Sequence, residues 1–505
     1  MEKPVVTKTD VKWKRDMAIV IVVYALFQFV IPAPAPITKA GMGVVGIFLA
    51  TLYLWIKVDI GWPSLLCIGV IGLTGVAKAG DLFAKTWGNV MVPFLVCAFM
   101  LNMVMSDTGL TRRFALFFIT RKSNKGKPWR TMVMFFLAVL LLGLISTSSA
   151  ICVLFMAIAE EMFSMTGYKK GDRLVETTMV GIFWMAQGAM AFTPISHILI
   201  PAIFANLLED FGITVTYTQF SAIFLIVGIA FFIGWILIFR FIIKPDVSQM
   251  AHLDIDALRA TLKPWSKEEK TILFVYGAVI VFWCFPDLIG LVPALKGVAK
   301  WMSAMGSGIP AMVACAVLCM IRYGNKPMLD YRDCCRRIPW GSVFMMTAVM
   351  GTAFIFGLET CGVTAWITQT MTPVMAGVSP VMFAVIVILF INILTQFVSN
   401  ALVSSMYAVL VPLALTVPGV NPIVVALLVA AGCNSAYALP SACPAAGLAS
   451  GAGWTRVRFQ VSSLRMDLHM LLMHCLSDLA EVLPILIIHM AGNLAQPIPC
   501  QASKH

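Results

Sequence analysis

Long apolar runs dominate the chain, and short polar breaks interrupt them. Runs at 17–33, 42–56, 88–106, 219–239, 340–358 and 381–398 approach the roughly 20 residues that cross a bilayer core as a helix. None alternates polar and apolar positions as the strands of a membrane barrel do. The pattern predicts an all-α polytopic membrane protein.

Two polar breaks have the same form. In 130–163 the arm "TMVMFFLAVLLLGLI" leads to "STSS" at 146–149 and then to "AICVLFMAIAEEMF". Each arm has about 15 residues and reaches about 23 Å, short of a hydrocarbon core of about 30 Å. The flanks are both basic: "TRRFALFFITRKSNKGKPWR" at 111–130 carries seven Lys and Arg, and Lys169, Lys170 and Arg173 follow. A re-entrant hairpin, entering and leaving on one side, accounts for this better than a crossing pair with a polar kink. Around 381–418 the apolar arms enclose "FVSNALVSS", and no Lys or Arg occurs between Arg337 and Arg456. That hairpin is expected to enter from the opposite side.

The halves share a register. Trp87-Gly88 and Trp340-Gly341, Gly109 and Gly362, and Ser146 and Ser399 are each 253 residues apart. One offset with reversed flank charge points to inverted-topology repeats. Each hairpin is followed by an interrupted apolar segment, "AQGAMAFTPISHILIP" within 178–208 and "AAGCNSAYALPSACPAAGLASGAG" within 423–453. Pro194, Pro201, Pro440 and Pro444 are expected to break these helices mid-span, which a membrane tolerates where backbone lines a cavity. The expected organisation is a cytoplasmic segment 1–16, a first repeat 17–245, a cytoplasmic linker 246–270, a second repeat 271–454 and an atypical segment 455–505.

Composition agrees: 60% of the 505 residues are hydrophobic and 12% charged, which excludes a soluble globular protein. The net charge of +12 resides in connecting loops and follows the positive-inside pattern, so nucleic acid is not expected as a partner. Lys3, Lys8, Lys12, Lys14 and Arg15 assign the N-terminus to the cytoplasm, in a cell membrane. The N-terminus has no small-residue cleavage site after its first apolar run. Most of the 13 cysteines stand singly in apolar runs, where Cys acts as a small hydrophobe rather than a metal ligand.

A mid-membrane site built from these pieces offers helix N-termini, neutral Ser, Thr and Asn donors, and carbonyls freed at the breaks. It suits an anion together with Na⁺ and needs no buried Lys or Arg. Isolated Ser residues more often glue helices together; two matched clusters, each before a broken helix, point to binding.

From about residue 40 to 453 the chain resembles the divalent anion:sodium symporter family, which carries dicarboxylates, citrate or sulfate. Its two Ser-Asn-Thr hairpin-tip motifs correspond here to Ser146-Thr147-Ser148 and Ser399-Asn400-Ala401. The resemblance implies substrate contacts from Thr147, Ser148, Thr193, His197, Asn400, Ala401, Cys443 and Pro444. It implies Na⁺ ligation by Ser146, Thr147 and Ser196 at one site, and by Thr395, Ser399, Asn400 and Ala442 at another. His197 is also open to proton coupling or to simple packing. The family's Thr-Pro-Pro-Asn loops survive only as "TPISHIL" and "LPSACPAAG", and the first motif lacks its Asn. The expected function is Na⁺-coupled symport of small divalent organic anions (succinate, malate or citrate-like) by alternating access, in a homodimer. The alternative is a Na⁺-independent exchanger of the same fold.

An enzyme is not expected, because the serine clusters occur twice and lack a catalytic partner in context. No "GxxxxGK[ST]" loop for an ATP-driven pump is present. After Gly453 the character changes: four of six histidines gather there, and the one apolar stretch carries Asp467, His469, His474, Asp478 and Glu481. A shifted reading frame produces such a change.

Overall fold

A computed structural model describes residues 8–437, except 198, 376, 398 and 399, together with Ala445. The expected segment 455–505 lies outside the described residues.

The apolar runs become helices. α1 (Lys8–Ala25) continues as a π turn over Leu26–Val30, and α2 (Lys39–Lys57) starts where the Thr38 hydroxyl accepts from Gly41 N. α3 (Trp62–Leu73) and α4 (Ala79–Lys85) lead to α5 (Met91–Asp107) and α6 (Leu110–Ile119). α5 and α6 meet at 60° around Gly109, whose φ of 80° a glycine adopts without steric cost. α7 (Pro128–Gly143) and α8 (Ser148–Thr166) form the first hairpin, with residues 146–149 at its tip. α9 (Arg173–Ala189) and α10 (Leu199–Phe211) are two pieces of the first broken helix. α11 (Tyr217–Leu237), opened by a capping box between Thr216 and Gln219, closes the repeat and runs on into a π turn at Ile238–Ile243.

A linker with α12 (Ile255–Ala260) leads to α13 (Lys267–Cys284), α14 (Pro286–Gly290), α15 (Lys296–Ala304) and α16 (Gly308–Met320). A small hairpin, β1 (Arg322–Tyr323) against β2 (Lys326–Pro327), precedes α17 (Tyr331–Arg337). The second repeat continues with α18 (Trp340–Gly357), α19 (Val363–Met375) and α20 (Pro380–Phe397). Its returning arm is divided into α21 (Asn400–Ser404) and α22 (Tyr407–Ala414), and α23 (Pro422–Gly432) follows.

The 253-residue offset holds in three dimensions. Shifted by it, α6 falls inside α19 and α7 inside α20, and Gly362, with φ 76°, opens α19 as Gly109 opens α6. The packing repeats as well: α9 lies along both arms of the first hairpin, and α23 along α20 and α22. Among the described residues, α2, α8, Tyr217–Ile243 and α18 are each long and apolar enough to span a membrane, and two bent pairs, α5 with α6 and α15 with α16, add two more.

One face gathers the charges. Arg112 pairs with Glu161 at 2.8 Å, Arg113 with Glu269 at 2.8 Å and Lys125 with Asp256 at 2.7 Å. The Tyr168 hydroxyl donates to Asp246 O at 2.9 Å, and Arg337 pairs with Asp107 at 2.6 Å. These contacts bring both outer ends of the first hairpin to the same basic face as the linker, which is what a re-entrant hairpin requires.

Two expectations need correction. The returning arm α8 has 19 residues rather than about 15, because the helix starts within the polar tip at Ser148 and continues beyond Phe163 to Thr166 at the charged face. Pro201 does not break the first broken helix. It sits in the first turn of α10, where no intrahelical N–H is required, so the break lies between Ala189 and Leu199 and contains Pro194 alone.

Candidate functional site

The first hairpin tip is a helix start. α8 begins at Ser148 after Thr147, which makes no side-chain cap, and its first backbone bond is Ile151 N to Thr147 O. The N–H groups of residues 148–150 therefore have no intrahelical partner, and the positive end of the helix dipole lies with them. This helix start borders a cavity of about 520 Å³, lined there by Thr147, Ser148, Ser149 and Ala150.

Packing completes the cavity from distant parts of the chain. The break after α9 supplies Ser196 and His197, whose Oγ and Nδ1 make no hydrogen bond. The second hairpin supplies Asn400 and Ser404. Thus Thr147, Ser148, Ser196, His197 and Asn400, chosen from sequence, meet around one space. The lining runs on to Arg337, Pro339 and Ser342 at the basic face.

The other chosen residues lie behind this surface. The Thr193 hydroxyl donates to Leu144 O at 3.3 Å and accepts from Ile195 N at 2.9 Å, tying the break to the end of the entering arm. Ser146 is buried next to the tip. Thr395, fully buried in α20, donates to Cys433 O at 2.9 Å and lies 3.3 Å from Asn400 Oδ1. Three oxygens from a hairpin arm, its tip and the end of α23 thus come together. Ala401 belongs to α21. Ser399, Ala442, Cys443 and Pro444 lie outside the described residues.

Sequence reasoning missed Asn102 on α5, Gln187 at the end of α9, Asn206 on α10 and Arg337, all of which line the cavity. Gln187 carried a readable signal as the lone amide in "AQGAM". Its Nε2 donates to Asn434 O at 2.9 Å, and Gln396 Nε2 donates to Ser435 O at 2.7 Å, so the ends of the two broken helices are held by glutamines.

The transmembrane region of the sodium:sulfate symporters matches residues 10–476. The chain belongs to the sodium:sulfate symporter family. It is a multi-pass membrane transporter of anions and not an enzyme. A relative in Staphylococcus saprophyticus, the sodium-dependent dicarboxylate transporter SdcS, is 23% identical over 450 residues, covering 83% of this chain and 82% of that protein. Two solved structures share the fold. The Alcanivorax borkumensis YdaH transporter, described as having an unusual topology, aligns with TM-score 0.54 at 15% identity, over 91% of this chain and all of its own. Neisseria gonorrhoeae MtrF, of a class of antimetabolite efflux pumps, aligns with TM-score 0.53 at 12% identity, over 94% of each chain.

Proposed function

We propose that this protein carries small dicarboxylates such as succinate or malate together with Na⁺, by alternating access. The observation that carries the reading is the open helix start at residues 148–150, facing one cavity with Ser196, His197 and Asn400. Among the described residues no Asp or Glu lines that cavity, so an anion meets donors and a positive dipole end without a repelling carboxylate. Thr147, Ser148, His197 and Asn400 would hold the carboxylates; Thr193 would brace the loop beneath them, and Ala401, Cys443 and Pro444 complete the proposed set.

Sodium would bind where neutral oxygens gather. Thr395, Asn400 and Cys433 O form one such group, to which Ser399 and Ala442 are added by the resemblance. Ser146, Thr147 and Ser196 are taken as the other from the resemblance, and the unpartnered Ser196 hydroxyl supports it. The sodium-dependent dicarboxylate relative supports this coupling. The basic face is assigned to the cytoplasm by the positive-inside rule, with the N-terminus on that side of a cell membrane. The repeats are taken as 17–245 and 271–454, and the working unit as a homodimer.

The test is uptake of radiolabelled succinate into proteoliposomes under an inward Na⁺ gradient, without Na⁺, and with succinate preloaded. Accumulation driven by Na⁺ supports symport. Uptake only into preloaded vesicles replaces it with exchange, the reading that Thr147 in place of Asn favours. No uptake under any condition refutes a dicarboxylate cargo.

A further inference from the structure

Apart from His197, every described residue lining the cavity is uncharged except Arg337, at its basic-face end. The Arg337 guanidinium is already engaged by a carboxylate. Nη1 and Nη2 reach the two Asp107 oxygens at 2.6 and 2.9 Å, a bidentate pairing, and Nη1 also reaches Asp333, one turn earlier, at 3.2 Å. Asp107 ends α5 of the first repeat, while Arg337 ends α17, just before α18 of the second.

We propose that Arg337 forms a second anion subsite at the cavity mouth, where Asp107 occupies the place that a cargo carboxylate takes during passage. This deepens the dicarboxylate reading and rests on it. A carboxylate of the cargo offers the fork the same two oxygens in the same plane. Exchange is cheap because the pair is half exposed, with side-chain exposures of 41% for Arg337 and 52% for Asp107, so water screens the bond that must break. One guanidinium beside two carboxylates leaves the mouth with a formal charge of −1, which repels anions until Asp107 swings away. Ser106 and Ser342, which line the cavity at this end, supply hydroxyl donors to the displaced or arriving carboxylate. The subsite is distinct from the hairpin tips: it belongs to one end of the pathway and would act on anions entering or leaving by the basic face.

Sided transport tests it. The succinate KM is measured from each face, in right-side-out and inverted vesicles of the full chain, for wild type, Arg337→Gln, Arg337→Lys and Asp107→Asn. Arg337→Gln is expected to raise KM on the basic-face side at least about fivefold, with the opposite-face KM and the Na⁺ half-saturation unchanged. Arg337→Lys falls between the two, and Asp107→Asn lowers KM on the basic-face side by freeing the guanidinium. An unchanged KM in Arg337→Gln, or an equal change on both faces, overturns the subsite while leaving the dicarboxylate reading standing. If Arg337→Gln does not fold, Asp107→Asn decides, and a KM that fails to fall overturns the proposal. A wild type that carries no succinate overturns both readings together.

Discussion

Gln187 Nε2 donates to the Asn434 carbonyl oxygen at 2.9 Å, joining the ends of α9 and α23 across 247 residues of sequence. Asn434 is fully buried and does not line the cavity, so its carbonyl has no water as an alternative. The bond sits where the two broken helices approach one another, beside a similar bond from Gln396 to Ser435 O. Glutamine suits the position because it reaches a carbonyl released by unwinding without bringing charge into the membrane.

Gln187→Leu should therefore leave the Asn434 carbonyl unpaired. A stability loss of about 1–3 kcal/mol is expected, the cost of an unsatisfied buried acceptor. Thermal unfolding of the purified protein in detergent checks it; an unchanged Tm would mean that the carbonyl finds another donor.

Thr395 binds Cys433 O and approaches Asn400 Oδ1. Thr395→Val keeps the shape and removes one oxygen, so the Na⁺ half-saturation of uptake should rise by about tenfold, equivalent to ~1.4 kcal/mol. Thr395→Ser should stay near wild type. Asn400→Ala should abolish uptake with the fold retained, and wild-type uptake by that variant would remove the second hairpin tip from the mechanism.

Gly362 has φ 76°, and a Cβ there would overlap the Pro36 carbonyl oxygen. Gly362→Ala should destabilise by at least ~2 kcal/mol, from the left-handed backbone and the clash together. Gly109→Ala, with a similar φ but open space around it, should cost only the backbone part. Comparing the two melting temperatures separates close packing from conformation.

Arg113 and Glu269 are a pair with little exposure, 12% and 7%, in the linker-side turn capped by Ser266. Burial alone would raise the Glu269 carboxyl; the Arg113 hydrogen bonds, the Ser266 N–H and the Arg113 charge outweigh it and hold it below the usual carboxylate range. A depressed folded-state pKa stabilises the fold above the unfolded value of 4.5 and loses that contribution as pH falls through the folded value. Wild type should thus lose stability below about pH 4.5 more steeply than Glu269→Gln. Arg113→Met, which strands a buried carboxylate, should cost about 3–5 kcal/mol at neutral pH. Chemical denaturation across pH measures both.

Much of this architecture was legible because membrane helices write themselves as unbroken apolar text. Gly109 and Gly362 carried the repeat, since a left-handed turn before α6 and α19 admits glycine most readily. The hairpin tips stood out because "STSS" and "SNALVSS" have no place on a lipid-facing surface. Arg337, Asn102 and Asn206 stayed hidden: Arg337 stands among the charges of a basic loop, the two asparagines lie within apolar helices, and only the packing of α5, α10 and α17 brings them to a common cavity. The length of α8 was misjudged because only the apolar arm 150–163 was counted, whereas the helix takes in Ser148 and Ser149 of the tip and runs on through Ser164 to Thr166.

The lock between residues 36–41 and 360–362 also fixes an order of events at the ribosome. The Thr38 hydroxyl donates to Thr360 O, 322 residues later, and Gly41 packs against the Cys361 carbonyl. At about 5–20 residues per second, α2 waits roughly 15–60 s in the bilayer before its partner has been made. During that interval Gly41 is open to whatever helix lies nearby, whereas Gly43 and Gly46 are already covered by Gln28 and Phe27 of the preceding segment. The nascent first repeat is thus a half-finished clasp, and the step that closes it belongs to the second.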